Sequence, residues 1–236
     1  MSPTHYRAGL TLVELLVAMG VMAILGLASW RFYSSEARTL AVHSATLEAT
    51  DKIRATMSFV SRELRLTGYD PTLAALTATG YKGIRYAGPN GIWIEFDRNG
   101  DGSVDGNAAD PSAESVIYSY DATNQQILRT VAGVSQTLVK NVPAGSFVFL
   151  FYDSSGNTLA PATTPSLTVP LGYPSVPSSV SQALTSQTSQ ALSSAQRDLV
   201  VLVRVGVQVQ TTGITPATNL SMAARITVPN RLLDRL

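Results

Sequence analysis

The first nine residues, MSPTHYRAG, are polar and carry His5 and Arg7. The stretch behind them, LTLVELLVAMGVMAILGLASW over Leu10–Trp30, is apolar apart from Glu14. As a helix rising about 1.5 Å per residue it spans ~30 Å, the thickness of a bilayer's hydrocarbon core. Arg31 follows directly and Arg38 soon after. Residues 34–66 contain no proline or glycine, and Ala49, Ile53, Met57, Val60 and Leu64 recur at helical spacing on one face. Glu48 and Lys52 stand at i and i+4 in the favoured order. Gly68 and Asp70-Pro71 then stop the pattern. The spacing predicts one helix of about 57 residues and ~85 Å from Leu10 to Leu66. It is apolar over 10–33 and amphipathic over 34–66.

Beyond Pro71 the period changes to two. Gly91–Phe96, Val116–Tyr120, Gln126–Val131, Thr137–Val142, Ser146–Tyr152, Leu199–Thr211 and Ser221–Val228 read as strands between turn-rich stretches. A long helix followed by antiparallel strands is an α+β pattern, and residues 67–236 form its β-rich globular part. Residues 157–197 interrupt it. They are rich in Ser, Thr, Pro, Ala and Gln and almost uncharged before Arg197. Residues 157–179, with Pro161, Pro165, Pro170, Pro174 and Pro177, read as an extended loop. Residues 180–197, with Val180, Leu184, Ala191, Leu192 and Ala195, read as either a short amphipathic helix or a linker.

Composition narrows the function. Seventeen Lys and Arg against 16 Asp and Glu give a net charge of +1, so no nucleic-acid partner is predicted. With no cysteine, disulfides and thiolate metal sites are excluded. His5 and His43 leave little material for a histidine-based triad or zinc cluster, and no phosphate-binding glycine loop or nucleophile elbow occurs. No catalysis is predicted. His43 reads as a solvated or packed side chain.

The apolar segment alone says "membrane". A cleaved secretory signal fits poorly, because the run is long and no small-residue cleavage site closes it. A plain anchor leaves Glu14 unexplained, since a carboxylate inside a bilayer is costly and a functional role is its default reading. The run Gly9-Leu10-Thr11-Leu12-Val13-Glu14, with the apolar stretch behind it, resembles the class III prepilin signal of type IV pilins and type II secretion pseudopilins. The resemblance implies removal of residues 1–9 by a prepilin peptidase that cuts after Gly9, and methylation of the new N-terminus at Leu10. Leu10 stands where phenylalanine or methionine is more usual. Glu14 matches the acidic residue that meets the N-terminal amine of a neighbouring subunit, a pairing that makes its charge tolerable in lipid.

The stretches RELRLTGYDP at 62–71, FDRNGDGSVDG at 96–106, ESVIYSYD at 114–121 and FVFLFYDSSG at 147–156 resemble PilW-type minor pilins, and more loosely J-type pseudopilins. That resemblance implies a pilin-like fold and a structural subunit that helps initiate or cap a type IV pilus. The alternatives are a pseudopilin of a type II secretion system and a membrane-anchored, calcium-dependent adhesin or binding module. It also implies a route. The chain spans the bacterial inner membrane once, with its globular domain periplasmic, and then enters a filament. Its partners there are other pilin or minor pilin subunits, the peptidase and methylase, and the assembly platform.

One further motif carries chemistry. Asp97-Arg98-Asn99-Gly100-Asp101-Gly102-Ser103-Val104-Asp105 follows the D-x-[DN]-x-[DN]-G pattern of calcium loops. Asp97, Asn99 and Asp101 offer side-chain oxygens, Ser103 its carbonyl and Asp105 a further carboxylate. Ala108 occupies the twelfth position, where a bidentate glutamate is wanted, and Asp110 or Glu114 could replace it. The same residues also suit a solvated Asp/Asn/Gly turn between strands. The loop is therefore expected to bind calcium, with a solvated turn as the alternative.

Overall fold

A computed structural model of the chain describes residues 11–76, 80, 82–105, 114–159, 191–211 and 217–229. By its internal contacts the chain divides into two compact units, Met1–Ala45 and Thr46–Leu236.

Helix α1 runs Leu12–Leu66, matching the predicted span to within its first residues. Every residue from Thr11 to Ser44 is exposed, including Leu16, Met22, Leu27, Trp30 and Phe32. This segment is long and apolar enough to cross a membrane. From Ala49 onward the helix buries one stripe: Ala49, Ile53, Met57, Val60 and Leu64, as the periodicity predicts, with Thr56 and Glu63 inside it as well. Full burial of a leucine or valine contributes about 1.5–3 kcal/mol, so Val60 and Leu64, both 0% exposed, hold the helix in place.

The helix stops where backbone meets backbone. Gly68 takes a positive φ of 77°, and its amide donates to the Glu95 carbonyl (3.0 Å). The Glu95 amide donates in turn to the Gly83 carbonyl (2.9 Å). A Cβ at Gly83 would lie 2.3 Å from the Gly68 nitrogen, so only glycine fits there.

Five strands form an antiparallel sheet in sequence order: β1 (Ile84–Gly88), β2 (Gly91–Glu95), β3 (Ser115–Asp121), β4 (Gln126–Val131) and β5 (Val134–Lys140). Three more form a second antiparallel sheet: β6 (Phe147–Tyr152), β7 (Leu202–Gln210) and β8 (Asn219–Thr227). The alternating side chains Ile92, Ile94, Val116, Tyr118, Ile127 and Val139 join Ile53, Met57, Val60 and Leu64 in one core. Phe147, Phe149 and Phe151 and the alternating valines of β7 complete it. The architecture is α+β, a long N-terminal helix followed by antiparallel sheets, consistent with a pilin fold.

The strand pattern leaves out β1. Its five residues carry a register irregularity between Ile84 and Tyr86, which breaks the two-residue period at Arg85. The fifth strand also starts earlier than expected, at Val134, just after the Ala132-Gly133 turn. Of the Ser/Thr/Pro-rich stretch, 160–190 lies outside the described residues. Of 180–197, read as either a short amphipathic helix or a linker, the described part holds a short helix, α2 (Ser194–Leu199), with Ser193 and Gln196 forming a capping box. Ala191 and Leu192 are buried but not helical; the Leu192 amide donates to the Ala87 carbonyl (2.8 Å), so this segment docks on β1.

Candidate functional site

Gly9 and Leu10 lie outside the described residues. The first turn behind them is described. The Glu14 amide donates to the Thr11 Oγ1 (3.3 Å), and the Thr11 amide donates to the Glu14 carboxylate (3.5 Å). This is the reciprocal arrangement of a capping box. It also sets the carboxylate at the positive end of the helix, where a negative charge is favoured. Glu14 therefore turns back toward the start of the helix. An incoming cation there meets a carboxylate already directed at it, at the head of an apolar surface that the single chain leaves exposed.

The acidic loop is held from inside and from below. Both oxygens of buried Asp97 accept backbone amides, from Gly100 (2.6 Å) and Gly102 (3.0 Å). The side chain of Asn99 accepts the Asp101 amide (2.9 Å), and Asp101 accepts the amide and hydroxyl of Ser103 (2.8 and 2.7 Å). Those Ser103 contacts hold the exposed Asp101 carboxyl below its ordinary range. The Asn99 Nδ2 donates to both Asp101 (2.9 Å) and Asp105 (3.3 Å). Underneath, fully buried Glu114 accepts the amides of Arg98 (2.7 Å), Asn99 (3.0 Å) and Asp105 (3.0 Å), closing the loop at both ends. The five expected ligand residues are thus gathered in one loop, and Glu114 is a brace beneath it. Among the described residues no three His, Asp or Glu side chains converge to hold a metal ion.

The sequence reading missed two buried ion pairs. Glu63 on α1 accepts from Arg129 on β4, with Nη2–Oε1 2.5 Å and both oxygens also within reach of Nε (3.2 and 3.1 Å). The Tyr118 hydroxyl on β3 donates to the same carboxylate. Burial, then the Glu63 charge, pushes the Tyr118 hydroxyl far up. Arg85 on β1 pairs with Glu95 on β2 (2.5 Å), both essentially inaccessible to solvent, and its guanidinium lies over the Trp93 ring (4.8 Å). One signal for the first pair was available. Glu63 lies at helical spacing within the apolar stripe, directly before Leu64. Both pairs tie elements of the fold together, Glu63 joining α1 to β4 and Arg85 joining β1 to β2.

Residues 4–30 match the prokaryotic N-terminal methylation motif. The match supports a type IV pilin-like protein, pilin or pseudopilin, and the motif is one of structural, pilin-type subunits. It implies processing by a peptidase and assembly with other pilins. With the apolar start of α1 it fits membrane anchoring followed by filament assembly. No curated protein and no solved structure matches the chain.

Proposed function

We propose that the chain is a minor pilin of a type IV pilus, of the PilW type, that helps initiate or cap the filament. The observation that carries this reading is Glu14 at the head of an exposed apolar helix, inside a methylation motif. After removal of residues 1–9 the chain waits in the inner membrane with residues 46–236 in the periplasm. It then trades lipid for neighbouring subunits, and Glu14 takes the amine of one of them. Apolar surface left open in the single chain drives that exchange, while the otherwise costly carboxylate sets its register. A type II pseudopilin would use the same steps in a different filament.

Mass spectrometry of the mature N-terminus tests the reading. An N-methylated Leu10 is the expected result; an intact Met1 in cells that process other prepilins would overturn it.

Calcium at the 97–105 loop is a second proposal. It is favoured by one geometric fact: Asp101 and Asp105 both turn an oxygen to a single donor, the Asn99 Nδ2. A cation taking that donor's place would meet two carboxylates, with Asn99 and Ser103 beside them.

A further inference from the structure

Among the described residues strand β8 is an edge of the three-stranded sheet with no partner on its far side, and three independent features of it point to a missing neighbour. The first is hydrogen bonding. The Gln208 and Gln210 amides donate to Ser146 and Asn141 (2.8 Å each), so the even-numbered amides of β7 face the β6 side. The odd-numbered ones face β8, and the Val228 amide donates to Val201 (2.9 Å) in the same sense. By alternation the amides and carbonyls of Ser221, Ala223 and Arg225 face away from β7, where no other described strand lies. The second is packing. Leu220, Met222 and Ala224 point toward the core yet remain only half-buried, whereas the β7 valines they pair with are closed off. The third is charge. Arg204 and Arg225 are directly opposed across β7 and β8, and both are exposed. Neither joins an ion pair among the described residues. Like charges in that relation destabilise a sheet unless something answers them.

Edge strands are commonly guarded by proline, by charged side chains (lysine above all) or by inward-pointing charges. The segment NLSMAARIT has no proline, lysine or inward charge; its one charged residue, Arg225, stands on the outer face. We propose that β8 receives an added strand from a neighbouring pilin-like subunit: an extended, partly apolar segment bearing a carboxylate opposite Arg204 and Arg225. The strand would satisfy the outward amides, cover Leu220 and Met222, and neutralise the paired guanidiniums. Pairing of β8 with the β8 of a second copy is disfavoured, because it would bring two more arginines to the same face. This inference rests on the filament reading above.

The test uses the full-length chain in cells that assemble the filament. The chain has no cysteine, so Ser221→Cys gives a single attachment point for a benzophenone crosslinker at the open edge. Irradiation should join position 221 to one other pilin-like subunit, at a segment containing Asp or Glu. Ala223→Pro removes only an outward-facing amide and should cut that adduct about ten-fold or more. Arg204→Glu with Arg225→Glu should do the same. Exchanging the mapped acidic residue of the partner for Arg should restore the adduct in the reversed background, a rescue that a merely misfolded variant would not give. Adducts that persist in both variants, or that form only with lipid, nucleic acid or the same chain, overturn the proposal. The N-terminus is scored in the same samples. Methylated Leu10 without a subunit adduct sinks the β8 inference alone; an uncut leader sinks the filament reading.

Discussion

Glu63, near the end of the long helix, is clamped by Arg129 from the fourth strand at 2.5 Å, and 66 residues of chain separate the two. The Glu63 side chain is 2% exposed and that of Arg129 21%. Burial works against the charge on Arg129, but the bonds and charge of Glu63 hold its protonated form firmly in place. The pair ties the end of the helix to β4, beside the apolar stripe that packs on the same core.

Removing one partner leaves the other buried and uncompensated. Glu63→Ala or Arg129→Ala should each cost about 3 kcal/mol in chemical denaturation of the full chain in detergent. The double variant Glu63→Ala, Arg129→Ala should cost clearly less than the two single losses added, with a coupling of about 1–3 kcal/mol. Additive losses would show that the two residues do not act as a pair.

Alkali should attack the same region. Burial pushes the Tyr86 hydroxyl up to about 12 and raises Tyr118 further still. An unfolded tyrosine ionises near pH ~10. A group held protonated in the fold contributes stability in full below that unfolded value, and the contribution fades as pH rises through the folded one. Tyrosinate absorbance should therefore appear in two stages, with the last tyrosines ionising only as the fold is lost. Nine tyrosines are present, so one smooth ordinary titration of them all would contradict the burial described here.

Glu114→Gln should loosen the acidic loop, because three amides would lose their carboxylate and face an amide group instead. The expected cost is about 2 kcal/mol, with faster hydrogen exchange at Arg98, Asn99 and Asp105. For the calcium proposal, calorimetry at millimolar calcium should show heat and an upward thermal shift that Asp101→Asn and Asp105→Asn abolish. No heat in the parent chain ends that proposal.

Glu14→Ala should leave the chain in the membrane fraction, since the apolar segment is untouched and loses a costly charge. Its recovery in sheared filaments should fall to background. Normal incorporation of the variant would mean that Glu14 has no part in assembly.

Much of this was legible in the chain itself. The helix from Leu12 to Leu66 and its buried stripe at Ala49, Ile53, Met57, Val60 and Leu64 follow from period and from the absence of breakers. Most strands follow from alternation. The apolar segment and the methylation motif are local, so contiguous residues carry them whole. What period could not supply is whatever depends on a partner distant in sequence. Strand β1 hides behind the bulge at Arg85, and its place is decided by β2 and by the segment at Leu192. Glu63 falls within the apolar stripe, but only the fold brings Arg129 and Tyr118 to it. Glu114 reads as a spare ligand until the fold sets it under the loop as a brace. The open edge at β8 exists only because three strands pair and no fourth described one does. Local order is written in neighbouring residues; a buried charge or an unpaired edge is a property of which distant residues meet, and the tertiary structure alone decides that.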